Sequence, residues 1–223
     1  MAYKLSPSSL SLMEDCPRCF WIHFNRHKQR PQGIFPSLPS GMDRILKEHF
    51  DRFMERGELP PELRENGSCN GFRLFDNKGL LKVWRNNFRG ISWADSEENI
   101  LHGAVDNIMV NGNKLIVLDY KTRGFPLKED TAEHYRNQLD LYNFLLRKNG
   151  FETEDFAFLL FYVPREVLDS GSVVFDTTLV RMNVSVENAA KIWNRAISLL
   201  KGPCPENGGE KECEWCRLLE VPD

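Results

Sequence analysis

Asp119 and Lys121 stand two residues apart at the end of an apolar run, "LIVLDYK", and a second aspartate, Asp106, closes "GAVD" just upstream. Side chains alternate faces along a strand, so Asp119 and Lys121 point the same way. The segments "LHGAVDNIMV" and "KLIVLDYKT" flank "NGN" and read as a hairpin. A two-residue turn at Gly112 and Asn113 sets Asp106 opposite Asp119. A turn at Asn111 and Gly112 sets it opposite Val117, still on the same face, whereas a three-residue turn reverses the parity. Two adjacent carboxylates repel unless a cation lies between them, and a hard divalent ion takes oxygen ligands. A neighbouring lysine then orients water or offsets charge building on a phosphate, which is the logic of metal-dependent phosphodiester hydrolysis. The plainer alternative is an Asp–Lys ion pair at a strand end.

Two other places offer supporting groups. His49 falls on an apolar helical stripe of Met42, Ile45, Leu46, Phe50 and Phe53, so it faces inward and can supply a nitrogen ligand that suits Mn²⁺ as well as Mg²⁺. Its neighbour Glu48 points off that stripe. In "QLDLY", Gln138 and Tyr142 are four residues apart, which places two hydrogen-bonding tips on one helix face. A core histidine and a polar helix edge are the bland readings of these features.

The elements that must position these groups follow from pattern. A serine-rich helix start spans Ser6 to Asp15, and a Pro/Gly/Ser-rich loop covers Gln29 to Gly41. A helix capped by Ser40 ends at Gly57, and Pro60 to Gly90 reads as irregular. The hairpin comes next, then a helix over Ala132 to Lys148. Two strands follow, "FAFLLFYVP" and "SVVFDTTLVRMNV", and a last helix runs from Ser185 to Lys201. That order suggests a mixed sheet flanked by helices.

With 223 residues, 41% of them hydrophobic, the chain can build one good-sized core, so a single domain over 1–223 is expected. The net charge of −3 advertises no global affinity for nucleic acid, so any such surface must be local. The acid-free run "RCFWIHFNRHKQR", Arg18 to Arg30, fits that need as a guide for a single strand, with Phe20 or Trp21 as a stacking surface. The bland reading is a solvated helix end with core aromatics. No window nears ~18 consecutive apolar residues, so no membrane span and no membrane partner is expected. The N-terminal residues lack the apolar core of a signal peptide, and a cytoplasmic location is expected. There, the six cysteines read as ligands or buried thiols rather than disulfides. Cys16 and Cys19 form one C-x2-C and Cys213 and Cys216 another. Four such ligands make a metal site tying the chain ends together (about 16–19 to about 204–216), with zinc the first reading from spacing.

Taken in order, a helical histidine, G-x-x-D, D-x-K and Q-x-x-x-Y resemble the RecB-like branch of the PD-(D/E)xK nuclease superfamily, and the sequence is similar to CRISPR-associated RecB-like exonucleases. The opening "SPSSLSLMEDCPRCF" resembles the start of that branch. The resemblance implies an α/β, restriction-endonuclease-like mixed central sheet between helices. It implies His49, Asp106, Asp119 and the Tyr120 carbonyl as ligands of Mg²⁺ or Mn²⁺, Lys121 as catalytic lysine, and Gln138 and Tyr142 as active-site support. It also implies a [4Fe–4S] cluster, held by one cysteine before the nuclease motifs and three after. Cys16 fits the first position, and Cys204, Cys213 and Cys216 can fill the later three. The tight C-terminal triple of the family is absent and Cys19 is an extra ligand, so the expected set is Cys16, Cys19, Cys213 and Cys216, with Cys204 in reserve and zinc as the alternative metal. The implied function is a metal-dependent DNA exonuclease acting on single strands or duplex ends, in repair, recombination or CRISPR adaptation, with a helicase or CRISPR-adaptation protein as partner. A non-catalytic nuclease-like DNA-binding module is the alternative, and another metal-dependent hydrolase on the same sheet a third.

Overall fold

In the computed structural model, residues 2–31, 33, 36–206 and 213–218 are described. The chain opens with a short strand, β1 (Lys4–Leu5), and the helices α1 (Pro7–Asp15) and α2 (Pro17–Arg26). Ser6 caps α1 through a reciprocal capping box with Ser9, and Pro7 sits in the first turn, where its missing N–H costs nothing. Cys16 ends α1 and caps α2. Next come α3 (Ser37–Arg56), α4 (Pro61–Arg64), β2 (Arg73–Leu74), α5 (Lys78–Trp84), β3 (Ile91–Ala94) and β4 (Ile100–Gly103). The hairpin β5 (Asn107–Asn111) and β6 (Lys114–Thr122) precedes α6 (Arg136–Lys148), β7 (Phe156–Val167), β8 (Val173–Asn183), α7 (Val186–Lys201) and α8 (Glu214–Leu218).

The strands make two sheets rather than one. The larger has the order β2-β5-β6-β7-β8, with β6 and β7 parallel and the other pairs antiparallel. The smaller has the order β1-β4-β3. β6 lies mid-sheet, and its run from Leu115 to Tyr120 is buried on both faces, as a continuous apolar run demands. α6 joins the two layers. It touches β6 on one side and β3 and β4 on the other, which explains why it is buried from Leu139 to Leu146 instead of along one stripe. One hydrophobic cluster runs from Leu5 to Leu200 through both sheets, and each fully buried Leu or Phe in it contributes about 1.5–3 kcal/mol.

The run "LHGAVDNIMV", expected as one strand, divides into β4 of the smaller sheet and β5 of the larger, and three other expected elements differ. α3 begins at Ser37, and it has no side-chain cap. The helix expected from Ala132 begins as a 3₁₀ turn, Glu133–Tyr135, before α6 proper. The segment read as irregular holds α4, β2 and α5. These are four, two and seven residues long, too short to show a period, and Asn77 caps α5 by accepting from the Leu80 N–H. No helix among the described residues is long and apolar enough to cross a membrane.

Candidate active site

The hairpin turn decides the geometry. Asn111 pairs with Lys114 and Asn107 with Leu118, so the turn is Gly112–Asn113, with Gly112 at φ 58°, and Asp106, in the loop just before β5, adjoins the Asp119 end of the ladder. Asp106 is held from several sides. Its Oδ2 accepts from the Tyr120 N–H at 3.0 Å. Its backbone carbonyl accepts from Arg85 Nε at 2.8 Å, and Arg85 is anchored in turn on Asp51 of α3 at 2.7 Å. Its Oδ1 lies 3.1 Å from Lys47 Nζ.

Asp119 is buried, and the Lys121 ammonium presses against its Oδ2. Burial pushes the Asp119 carboxyl up to about 7. Lys121 pulls it down, and the charge of Asp106 adds to the rise. Lys121 is itself buried, which disfavours its charge, but the Asp119 carboxylate outweighs that and raises its pKa. The lysine continues into a chain: its Nζ donates to Gln138 Oε1 at 3.0 Å, and Gln138 Nε2 donates to the Tyr142 hydroxyl at 3.0 Å. It also lies over the Tyr135 ring, 4.6 Å from the centroid. The four-residue spacing on α6 thus brings Gln138 and Tyr142 to Lys121 and to each other.

The Tyr120 side chain points to the opposite face, packs on Phe50 with centroids 4.6 Å apart, and receives a hydrogen bond from Asn107 at 2.7 Å. Gly103 opens the G-x-x-D motif for a steric reason. A Cβ there would stand 2.7 Å from Tyr142 Cε1, so only glycine lets α6 approach β4 this closely.

α3 contributes differently from the sequence expectation. His49 Nε2 turns to Glu62, 3.0 Å away, and its ring packs between Phe50 and Phe53. The α3 side chains that meet Asp106 are Asp43 and Lys47, with Lys47 Nζ bridging Asp43 at 2.8 Å and Asp106 at 3.1 Å. Burial raises the Asp43 pKa, Lys47 opposes that rise, and Asp106 adds to it. The buried face of α3 runs through Leu46, Phe50 and Met54. Phe50 and Met54 are buried, whereas Ile45, placed on the expected stripe, is 44% exposed. The expected stripe shares Leu46 and Phe50 with that face but is rotated from it by about a quarter of a turn, which hid both charged residues.

Three carboxylates from α3, the loop before β5, and β6 face two ammonium groups. The carboxylates outnumber the cations. Carboxylate oxygens are the ligands a hard divalent cation takes, but here Lys47 and Lys121 engage them, and among the described residues the cysteine cluster is the one group whose ligand atoms converge closely enough to hold an ion. Beside it lies a groove of about 350 Å³ lined by Ser6, Ser8, Asn87, His102, Gln138 and Tyr142. It is polar, with His102 Nδ1 buried and unpartnered on its wall.

The cysteines form a second cluster. Cys16, Cys19, Cys213 and Cys216 place their sulfurs within 4.8 Å of one another, a set that can hold a metal ion. Burial pushes the Cys19 thiol up to about 11. At Cys213, burial also raises the thiol, but hydrogen bonds from Cys19 and from the backbone outweigh it and bring the value down to about 7. Arg30 Nη2 donates to Cys213 Sγ at 3.4 Å, and Arg18 Nη1 donates to Cys204 Sγ at 3.7 Å and the Pro205 carbonyl at 2.8 Å. One cation of the basic run, Arg30, therefore touches the cluster, and Arg18 holds the adjoining Cys204 segment. Phe20 is core, and the Trp21 indole donates to the Gly202 carbonyl at 2.9 Å. Residues 207–212, inside the expected C-terminal tie, lie outside the described residues.

The model of the PD-(D/E)XK nuclease superfamily matches residues 4–221, nearly the whole chain, and the chain belongs to that superfamily. No curated protein matches it. Membership makes the two-sheet, helix-flanked architecture a restriction-endonuclease-like fold. It also brings metal-dependent nuclease chemistry and nucleic acid as the substrate class.

Proposed function

We propose that this protein is a Mg²⁺- or Mn²⁺-dependent DNA exonuclease of the RecB-like branch, one domain over 1–223, acting in repair, recombination or CRISPR adaptation beside a helicase or adaptation partner. The observation that carries the chemistry is the buried Asp119–Lys121 pair set against Asp106. A binding role needs neither a buried carboxylate nor a lysine locked beside it.

Asp106 and Asp119, with the Tyr120 carbonyl, would hold the metal, and we assign the helical ligand to Asp43 in place of His49. Bound there, a divalent ion supplies Lewis acidity toward a phosphate oxygen and acidifies water. Lys121 is held by Gln138 and Asp119 and offsets the charge that builds on the phosphate in the transition state. Gln138 and Tyr142 keep that ammonium from turning back into solvent. The groove along Ser6, Ser8 and His102 gives the sugar–phosphate backbone a polar bed. Phe88 adjoins it through Asn87, is 86% exposed, and offers a ring to an unpaired base.

The exonuclease mode is tested with closed circular and linear single-stranded DNA of one sequence, each with Mg²⁺, Mn²⁺ or EDTA. Degradation of the linear form alone, abolished by EDTA, is expected. Cleavage of the circle makes the protein an endonuclease. No cleavage of either form by metal-replete protein makes it a binding module.

A further inference from the structure

We propose that the four-cysteine cluster is a mononuclear, tetrahedral zinc site and not the iron–sulfur centre implied by the resemblance. The argument is one of size. Cys16 Sγ lies 3.4 Å from Cys216 Sγ, and Cys19 Sγ lies 3.6 Å from Cys213 and 3.7 Å from Cys216. No pair of ligand sulfurs in the set exceeds 4.8 Å. A tetrahedron with Zn–S bonds of about 2.3 Å has an edge of about 3.8 Å, which these separations match. A four-iron cubane carries each cysteine sulfur on a different iron, which spreads the sulfurs to roughly 6 Å. These four sulfurs stand too close together to carry it. The separations also exceed the S–S bond of about 2.05 Å, so these are four separate thiols.

The arrangement agrees with the size. Ligands divide two and two between the chain ends, as Cys-x2-Cys zinc sites do, instead of one and three. Cys204, needed for the one-and-three pattern, is packed beside the cluster but lies outside the ligand set, occupied by Arg18 and the Pro205 carbonyl. Cys16 caps α2, and its sulfur accepts the Cys19 N–H at 3.4 Å, which ties the first two ligands together at the start of that helix. Four thiolates on one dication leave a net negative charge, and the Arg30 guanidinium on Cys213 offsets part of it. Zinc has no redox chemistry, so its role here is mechanical. It pins α2, which packs on α7, to the short α8.

This inference rests on the cysteines as a metal site and is independent of the nuclease reading. The test is zinc, iron and acid-labile sulfide per chain, with the visible spectrum, for full-length protein purified anaerobically without chelator from medium containing both metals. About one zinc, negligible iron and no band near 400 nm are expected, and Asp119→Ala, which disarms the nuclease centre, should carry the same zinc. Cobalt added to the metal-stripped chain should give the intense bands of a tetrahedral four-thiolate site. Cys204→Ser should keep those bands and Cys213→Ser should lose them. About four irons with sulfide, a metal-free chain that does not take up cobalt, or loss of the cobalt spectrum in Cys204→Ser would overturn the proposal.

Discussion

Asp43 and His49 lie six residues apart on one helix and divide the labour between site and scaffold. Asp43 shares Lys47 with Asp106, while His49 spends its Nε2 on Glu62, which also receives the Tyr162 hydroxyl at 3.0 Å. Asp43→Asn should lower nuclease activity by about 10²-fold or more and weaken Mn²⁺ binding measured by calorimetry, whereas His49→Gln should leave both within a few-fold. The reverse ranking would return the ligand to His49. Gly103→Ala makes a different kind of test. Its methyl has no room against Tyr142, so it should cost about 1–3 kcal/mol of stability and reduce activity by disturbing the Tyr142–Gln138–Lys121 chain. Denaturant unfolding and turnover check the two parts separately. Asp106, Asp119, Lys121, Gln138 and Tyr142 were each legible as residue types at a spacing. Asp43 and Lys47 were not, because a charged pair on an amphipathic helix looks like solvated surface until the sheet it faces is known.

At the scale of elements, parity and packing set the site. The Gly112–Asn113 turn aligns Asp106 with Asp119, and a strand buried on both faces holds Asp119 and Lys121 rigid. The hairpin was readable because strand period and turn chemistry are local. The arrangement of two sheets with α6 between them was not, since the β1–β4 pairing joins residues far apart in sequence. Nor was Arg85. It ties the Asp106 carbonyl to Asp51, a contact between α3 and the loop before β5 that no local pattern announces. Arg85→Ala should loosen that loop, lowering the rate by about tenfold or more while leaving Asp119 and Lys121 in place. Lys at the same position should rescue little, because one ammonium cannot serve both partners in the geometry of a guanidinium. Full activity in Arg85→Ala would show that the Tyr120 N–H and Lys47 suffice to hold Asp106.

For the whole molecule, the net charge of −3 requires that nucleic acid be drawn by a local patch. Arg30 contacts Cys213, Arg18 contacts Cys204 and Arg26 lies over the Trp21 ring, and we propose that Arg26 and Lys28 of that run meet a phosphate backbone. Reversing both charges, Arg26→Glu with Lys28→Glu, should weaken DNA binding and reduce the salt slope by about two, without changing the rate on bound substrate. Unchanged binding would place the strand's path elsewhere. The cysteine pairs were legible at both ends of the sequence, but the sulfur separations that distinguish one ion from a cluster exist only in the folded chain.

The central claim is that Asp119 and Lys121 form a working hydrolytic centre. Its most direct test is cleavage of end-labelled linear DNA in Mg²⁺ or Mn²⁺, comparing wild type with Asp119→Ala and Lys121→Ala under single-turnover conditions. The account predicts a metal-dependent ladder from wild type and a loss of about 10³-fold or more in each variant, with DNA binding and zinc content retained. Cleavage at the wild-type rate by either variant, or no cleavage by metal-replete wild type, would contradict it.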